Sequence, residues 1–136
     1  MKAIVDTNVV AYHLLGVEQF AGVASVALRA ISNPIAPAHW EAELASVVWM
    51  AVRTGAFSHD EGQVRLRLAR RLGIESASIS PLGPGALIRS VQSGVAVYDT
   101  LFVELAVRER CPLITFDGGV LRAFPDIAVS PRTLTA

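Results

Sequence analysis

Ala3-Ile4-Val5-Asp6-Thr7-Asn8 is a short unbroken apolar run that closes on a carboxylate, and Pro112-Leu113-Ile114-Thr115-Phe116-Asp117 repeats that pattern near the other end of the chain. An apolar run without polar alternation suits a strand covered on both faces, as in a parallel sheet with helices on either side. Weaker strand signals lie at Ile35-Ala36, at Ser78-Ile79-Ser80 before Pro81, and at Ile127-Ala128-Val129.

Working outward, helical patterns fill the intervals. Val9 to Leu15 is predicted to be a helix closed by Gly16, and Glu18 to Ile31 a longer one stopped by Ser32-Asn33-Pro34. From His39 to Arg53 the residues Leu44, Val47, Val48 and Ala51 fall at helical spacing before Gly55. Ser58 and Glu61 form a capping-box pattern that opens a helix carrying Val64, Leu68 and Leu72 on one side. Pro84 to Ser93 and Tyr98 to Arg110 are two further helices, separated by Gly94. Strands alternating with helices of this length predict an α/β domain spanning 1–136, with a mainly parallel central sheet in a three-layer α/β/α sandwich. Ligands of such sheets bind beyond the carboxyl ends of the strands, where Asp6 and Asp117 stand.

Composition narrows the class. The chain has 136 residues, 52% hydrophobic and 18% charged, too apolar for a disordered segment. Its longest uncharged stretch, Ser76 to Ile88, is shorter than the about 20 apolar residues of a bilayer span, so no membrane association is expected. Asp6 and Asn8 interrupt any apolar core of a secretory signal, and a cytoplasmic protein is expected. Cys111 is the lone cysteine, which excludes an internal disulfide and a multi-cysteine zinc site. Twelve basic and twelve acidic side chains cancel, leaving no uniform field for nucleic acid. A nuclease stays compatible with that balance, because clustered acids can mask a basic rim in the sum.

Each acid on its own has a structural role open to it. Asp6 can cap the following helix, Asp117 sits in Phe116-Asp117-Gly118-Gly119 turn chemistry, and Asp99 stands in the first turn of a helix, where the macrodipole favours negative charge. Glu43 fits such a role less well. It lies in Trp40-Glu41-Ala42-Glu43-Leu44-Ala45-Ser46-Val47, about 200° around the helix from Glu41, and shares a face with Val47. The expectation is that Glu43 faces inward, where an ionised carboxylate needs a cation. Carboxylates brought together repel, and an oxygen-only cluster without a Cys or His constellation suits Mg²⁺ or Mn²⁺ rather than zinc. His13, His39 and His59 show no ligand spacing and are expected to serve packing or the surface.

Taken together, Val5-Asp6-Thr7-Asn8, Glu43-Leu44-Ala45-Ser46-Val47, Tyr98-Asp99-Thr100-Leu101 and Ile114-Thr115-Phe116-Asp117 resemble, in order and separation, the motifs of a PIN domain, and more narrowly those of the VapC type of toxin ribonuclease. The resemblance spans nearly the whole chain. It implies a Mg²⁺-dependent endoribonuclease (Mn²⁺ as substitute) that hydrolyses RNA phosphodiesters, with Asp6, Glu43, Asp99 and Asp117 as catalytic and metal-binding residues. Asn8, Thr115 and Ser46 would support them, Ser46 standing where many relatives carry Asn. It further implies a homodimer and a cognate antitoxin protein. The candidate surfaces are the helix from Trp40 to Val52 and the one carrying Arg65, Arg67, Arg70 and Arg71.

Two other classes compete. A phosphoacceptor receiver module needs an acidic pair after the first strand and a late lysine. Here Asp6 is followed by Thr7, and Lys2 is the only lysine. A PIN-like module that binds RNA or protein without cutting is the alternative; the intact set of acids disfavours it.

Overall fold

The computed structural model describes residues 1–134. Five strands, β1 (Lys2–Val5), β2 (Asn33–Pro37), β3 (Glu75–Ala77), β4 (Leu113–Ile114) and β5 (Ala128–Val129), make one sheet in the order β3-β2-β1-β4-β5. Every pairing is parallel, with Ile4 opposite Ile35 on one side and opposite Leu113 on the other. The helices are α1 (Thr7–Leu15), α2 (Ala21–Ala30), α3 (Trp40–Arg53), α4 (His59–Arg70), α5 (Gly83–Ser93), α6 (Val97–Glu109) and α7 (Gly118–Ala123). The result is the expected PIN-like α/β/α sandwich.

The unbroken apolar runs explain the arrangement. Ala3, Ile4, Val5, Leu113 and Ile114 are all buried, so β1 and β4 require cover on both faces. α6 supplies one cover, packing across β1, β2 and β4 through buried Leu101, Phe102, Val103, Leu105 and Ala106, with α5 packed against it. α1 packs with α2, α3 and α4. The chain runs outward from β1 to β2 and β3, then returns past β1 to β4 and β5. The connections therefore diverge between β1 and β4, the place where sheets of this kind take ligands beyond the carboxyl ends of their strands.

Several boundaries differ from expectation, each for a physical reason. β2 is a full five-residue strand, although Pro34 and Pro37 break its sequence signal. The third strand is Glu75–Ala77 rather than Ser78-Ile79-Ser80; it is a polar edge strand, and Ser80–Leu82 is a 3₁₀ turn instead. α2 starts at Ala21 because Phe20 leaves helical geometry and stacks on Tyr12 at 4.5 Å. On α4 the buried residues are Gly62 and Ala69, while Val64 and Leu68 are exposed. Gly62 lets α4 approach α3 closely: a Cβ there would lie 3.0 Å from Val52 Cγ2 and 3.2 Å from Val48 Cγ1.

The α5–α6 pair is held by polar contacts as well as packing. Buried Glu104 accepts hydrogen bonds from Arg89 Nε at 2.8 Å and Arg108 Nε at 3.2 Å. Thr100, fully buried, donates to the Ala86 carbonyl at 2.9 Å. Among the described residues no helix is long and apolar enough to cross a membrane.

Candidate active site

Asp6 is the residue immediately after β1, in extended backbone geometry at the N-terminus of α1. Its side chain makes no capping bond to that helix. Instead its amide donates to the Ile114 carbonyl at 2.9 Å, and its Oδ2 accepts from Thr115 Oγ1 at 2.7 Å. The carboxylate is thus tied to the parallel neighbour β4, and is only 7% exposed. Thr115 is fully buried and links two acids, since its Oγ1 also accepts the Asp117 amide at 3.0 Å. Asn8 bridges the same strand ends: Nδ2 donates to Thr115 Oγ1 at 3.3 Å and to Asp6 Oδ2 at 3.5 Å, and Oδ1 accepts the Phe116 amide at 3.3 Å.

The other acids arrive from different elements. Asp117 does cap its own turn, with Oδ1 accepting the Val120 amide at 2.9 Å as the N-cap of α7. That short helix begins on Gly118 and Gly119, the pair that reads in the sequence as a turn. Asp99 lies half-buried in the first turn of α6. Glu43, in the first turn of α3, accepts from Thr7 Oγ1 at 2.7 Å. Its side chain is 33% exposed rather than turned into the core. The buried residues of α3 are Trp40, Leu44 and Val48, so Glu43 and its exposed neighbour Val47 lie beside the apolar stripe. Ser46 is exposed on α3 and has no hydrogen bond to these acids among the described residues.

Electrostatics connects these groups. Burial raises the Asp6 carboxyl to about 7, with the charges of Asp99 and Glu43 pushing the same way and the Thr115 hydrogen bond opposing them. Asp99 is also raised, first by burial and then by Asp117 and Glu43. Asp6 thus feels Asp99 and Glu43, Asp99 feels Asp117 and Glu43, and Thr115 ties Asp6 to Asp117 across the strand ends. Among the described residues, the sole ion pair reaching any of the four is His39 Nε2 to Glu43 Oε1, at 3.8 Å.

As posed, no three carboxylate, imidazole or thiol groups among the described residues close around an ion. Asp117 is turned onto its helix and Glu43 onto Thr7. The donor set nevertheless fits a hard divalent cation: it offers only carboxylate oxygens, its deepest member is held above its ordinary range by burial and like charge, and no Lys or Arg among the described residues pairs with it.

The sequence assigned His39 to packing or the surface, with no role beside the acids. Its Nε2 lies 2.9 Å from the Tyr98 carbonyl, so the residue touches the elements that carry Glu43 and Asp99. The signal available was the four-residue interval from His39 to Glu43, which places both on one helical face.

Residues 3–126 match the family model of the PIN domain. The chain belongs to the PIN domain family. No curated protein matches it. Among solved structures this PIN domain is similar to a toxin-antitoxin complex from Klebsiella pneumoniae, at 22% identity and a TM-score of 0.62, over 96% of this chain and 98% of that one. It is also similar to VapBC2 from Rickettsia felis bound to a DNA fragment from their promoter, at 16% identity and a TM-score of 0.65, over 96% and 97% of the two chains. At these identities the likeness is one of fold.

Proposed function

We propose that this PIN domain protein is a Mg²⁺-dependent endoribonuclease, with Mn²⁺ as a substitute ion, and the toxin of a toxin–antitoxin pair. The observation that carries the reading is Asp6: a buried carboxylate with no cationic partner among the described residues, raised to about 7 by burial and by the charges of Asp99 and Glu43. Such a group is costly to ionise unless a cation joins it. Asp6, Glu43 and Asp99 would hold the ion directly or through water, and Asp117 would complete the set through the oxygen not engaged by its helix. When bound, the ion supplies charge that offsets the phosphodiester and makes water a better nucleophile near neutral pH.

The chain's own residues have separable tasks in this reading. Thr115 and Asn8 both donate to Oδ2 of Asp6, which leaves Oδ1 without a side-chain donor among the described residues. Asn8 ties the end of β1 to the end of β4, which fixes the spacing of Asp6 and Asp117. The antitoxin reading is supported by the similar structures, one of which is a toxin-antitoxin complex and the other VapBC2 bound to promoter DNA. Localisation in the cytoplasm and assembly as a single-domain homodimer over 1–136 belong to the same proposal.

The test is RNA cleavage by purified protein in Mg²⁺ or Mn²⁺, with EDTA as the control. Cleavage that EDTA stops, and that Asp6→Asn and Asp99→Asn each reduce at least about a hundredfold, is the expected result. Cutting by both variants at the parent rate removes the site assignment. Tight RNA binding without cutting in either metal favours the non-catalytic module instead.

A further inference from the structure

We propose that His39 is a positioning residue that clamps the first turn of α3 to the first turn of α6, and so sets the separation of the Glu43 and Asp99 carboxylates. The inference rests on the nuclease reading for its consequence, but its geometry stands apart from it. His39 is the N-cap residue of α3, and its side chain makes no capping bond to that helix. Instead it crosses to α6: Nε2 lies 2.9 Å from the carbonyl oxygen of Tyr98, the residue preceding Asp99. A carbonyl oxygen only accepts, so Nε2 carries the proton and donates. The same nitrogen is 3.8 Å from Glu43 Oε1, too long for a hydrogen bond but near enough to attract it.

The ring is seated as well as bonded. Its side chain is 9% exposed and packs edge-on against Phe102 of α6 at 4.9 Å between centroids. Nδ1 is buried with no partner. A residue kept for packing alone would be better apolar, because an unpaired buried nitrogen costs free energy. The polar ring is therefore explained by its other edge, the one hydrogen bond among the described residues that joins the two helices bearing the acids. Without that bond, Glu43 retains its contact with Thr7 on α1, and the α6 start that carries Asp99 keeps the Thr100 bond to α5 but loses its hydrogen bond to α3.

Three variants separate a positioning role from a merely space-filling one. His39→Phe keeps the aromatic packing without a donor, His39→Ala empties the site, and His39→Gln restores an N–H donor without the ring. Amide hydrogen exchange in EDTA at Asp99 and Thr100, both bonded to the Ala96 carbonyl in the first turn of α6, reads the clamp with no metal or activity involved. Exchange at these amides should speed up about tenfold in the Phe and Ala variants and return most of the way in Gln. Mn²⁺ affinity should weaken about tenfold in Phe and recover in Gln, and kcat for RNA should fall similarly with KM held within about twofold. Parent-like exchange in the Phe variant, or a Gln variant no better than Phe, overturns the proposal. A parent protein that neither binds Mn²⁺ nor cuts RNA overturns the nuclease reading instead, and the exchange measurement still judges the clamp.

Discussion

Asp6 carries the largest electrostatic debt at the level of single residues, and that debt has a readable sign. With the carboxyl at about 7 in the folded protein and near its ordinary value of 3.8 when unfolded, the native state holds the proton more tightly. Stability of the metal-free protein is then greatest below about pH 4 as far as this group is concerned, and is lost as pH rises toward about 7. Denaturant melts in EDTA across that window should show a decline of a few kcal/mol, and Asp6→Asn should flatten it. A parent protein whose metal-free stability rises steadily from pH 4 to pH 7 would contradict this account of Asp6. Thr115 makes the complementary case. Its hydroxyl donates to Asp6 and accepts from the Asp117 amide in a fully buried position, so Thr115→Val leaves two polar groups short of a partner. A cost of about 1–3 kcal/mol by chemical denaturation is expected, together with reduced RNA cleavage. The candidate acids were legible one residue at a time, but their mutual contacts were not: whether Asp6 caps a helix or is held to the end of β4 depends on Thr115, 109 positions away.

Between elements, the α5–α6 junction offers a sharp test of packing. A Cβ on Gly85 would stand 2.4 Å from the Glu104 carboxyl carbon, and Glu104 is pinned by Arg89 and Arg108. Gly85→Ala should therefore destabilise the parent by about 1–3 kcal/mol. In a Glu104→Ala background the clash is gone, and the same change should become neutral or stabilising by up to about 1 kcal/mol from helix propensity. Equal costs in both backgrounds would show that the Gly85–Glu104 contact does not govern this junction. Elements with strong local signals were legible at this scale: the α1 stop at Gly16, the capping box of Ser58 and Glu61, and the apolar cores of β1 and β4. The signal failed where tertiary pairing overrides it. β2 is built despite two prolines because β1 and β3 flank it, β3 is an edge strand without an apolar signature, and α7 begins on two glycines because Asp117 caps it.

For the whole molecule, the sheet performs no chemistry but determines which chain segments meet. The order β3-β2-β1-β4-β5 sets the ends of β1 and β4 side by side, and α6 delivers Asp99 to the same locus as these ends. Strand order was not legible in the sequence, because it depends on pairings between distant segments; the alternation of elements, which decides the fold class, was. The balanced net charge concealed the acidic locus for a similar reason, since a sum carries no positions. If this locus binds a divalent ion only in the folded state, saturating Mg²⁺ should raise the parent's melting temperature by several degrees over EDTA, corresponding to about 2–3 kcal/mol at a hundred times Kd. Asp6→Asn and Asp99→Asn should lose that increment, and an unchanged increment in both would place the ion elsewhere.

The most direct test of the central claim is anomalous diffraction from crystals grown with Mn²⁺. The account predicts a peak within about 2.0–2.5 Å of carboxylate oxygens from Asp6 and at least one of Glu43 and Asp99. Full data at millimolar Mn²⁺ with no peak between those side chains, and Asp6 still bonded only to Thr115 and Asn8, would contradict it.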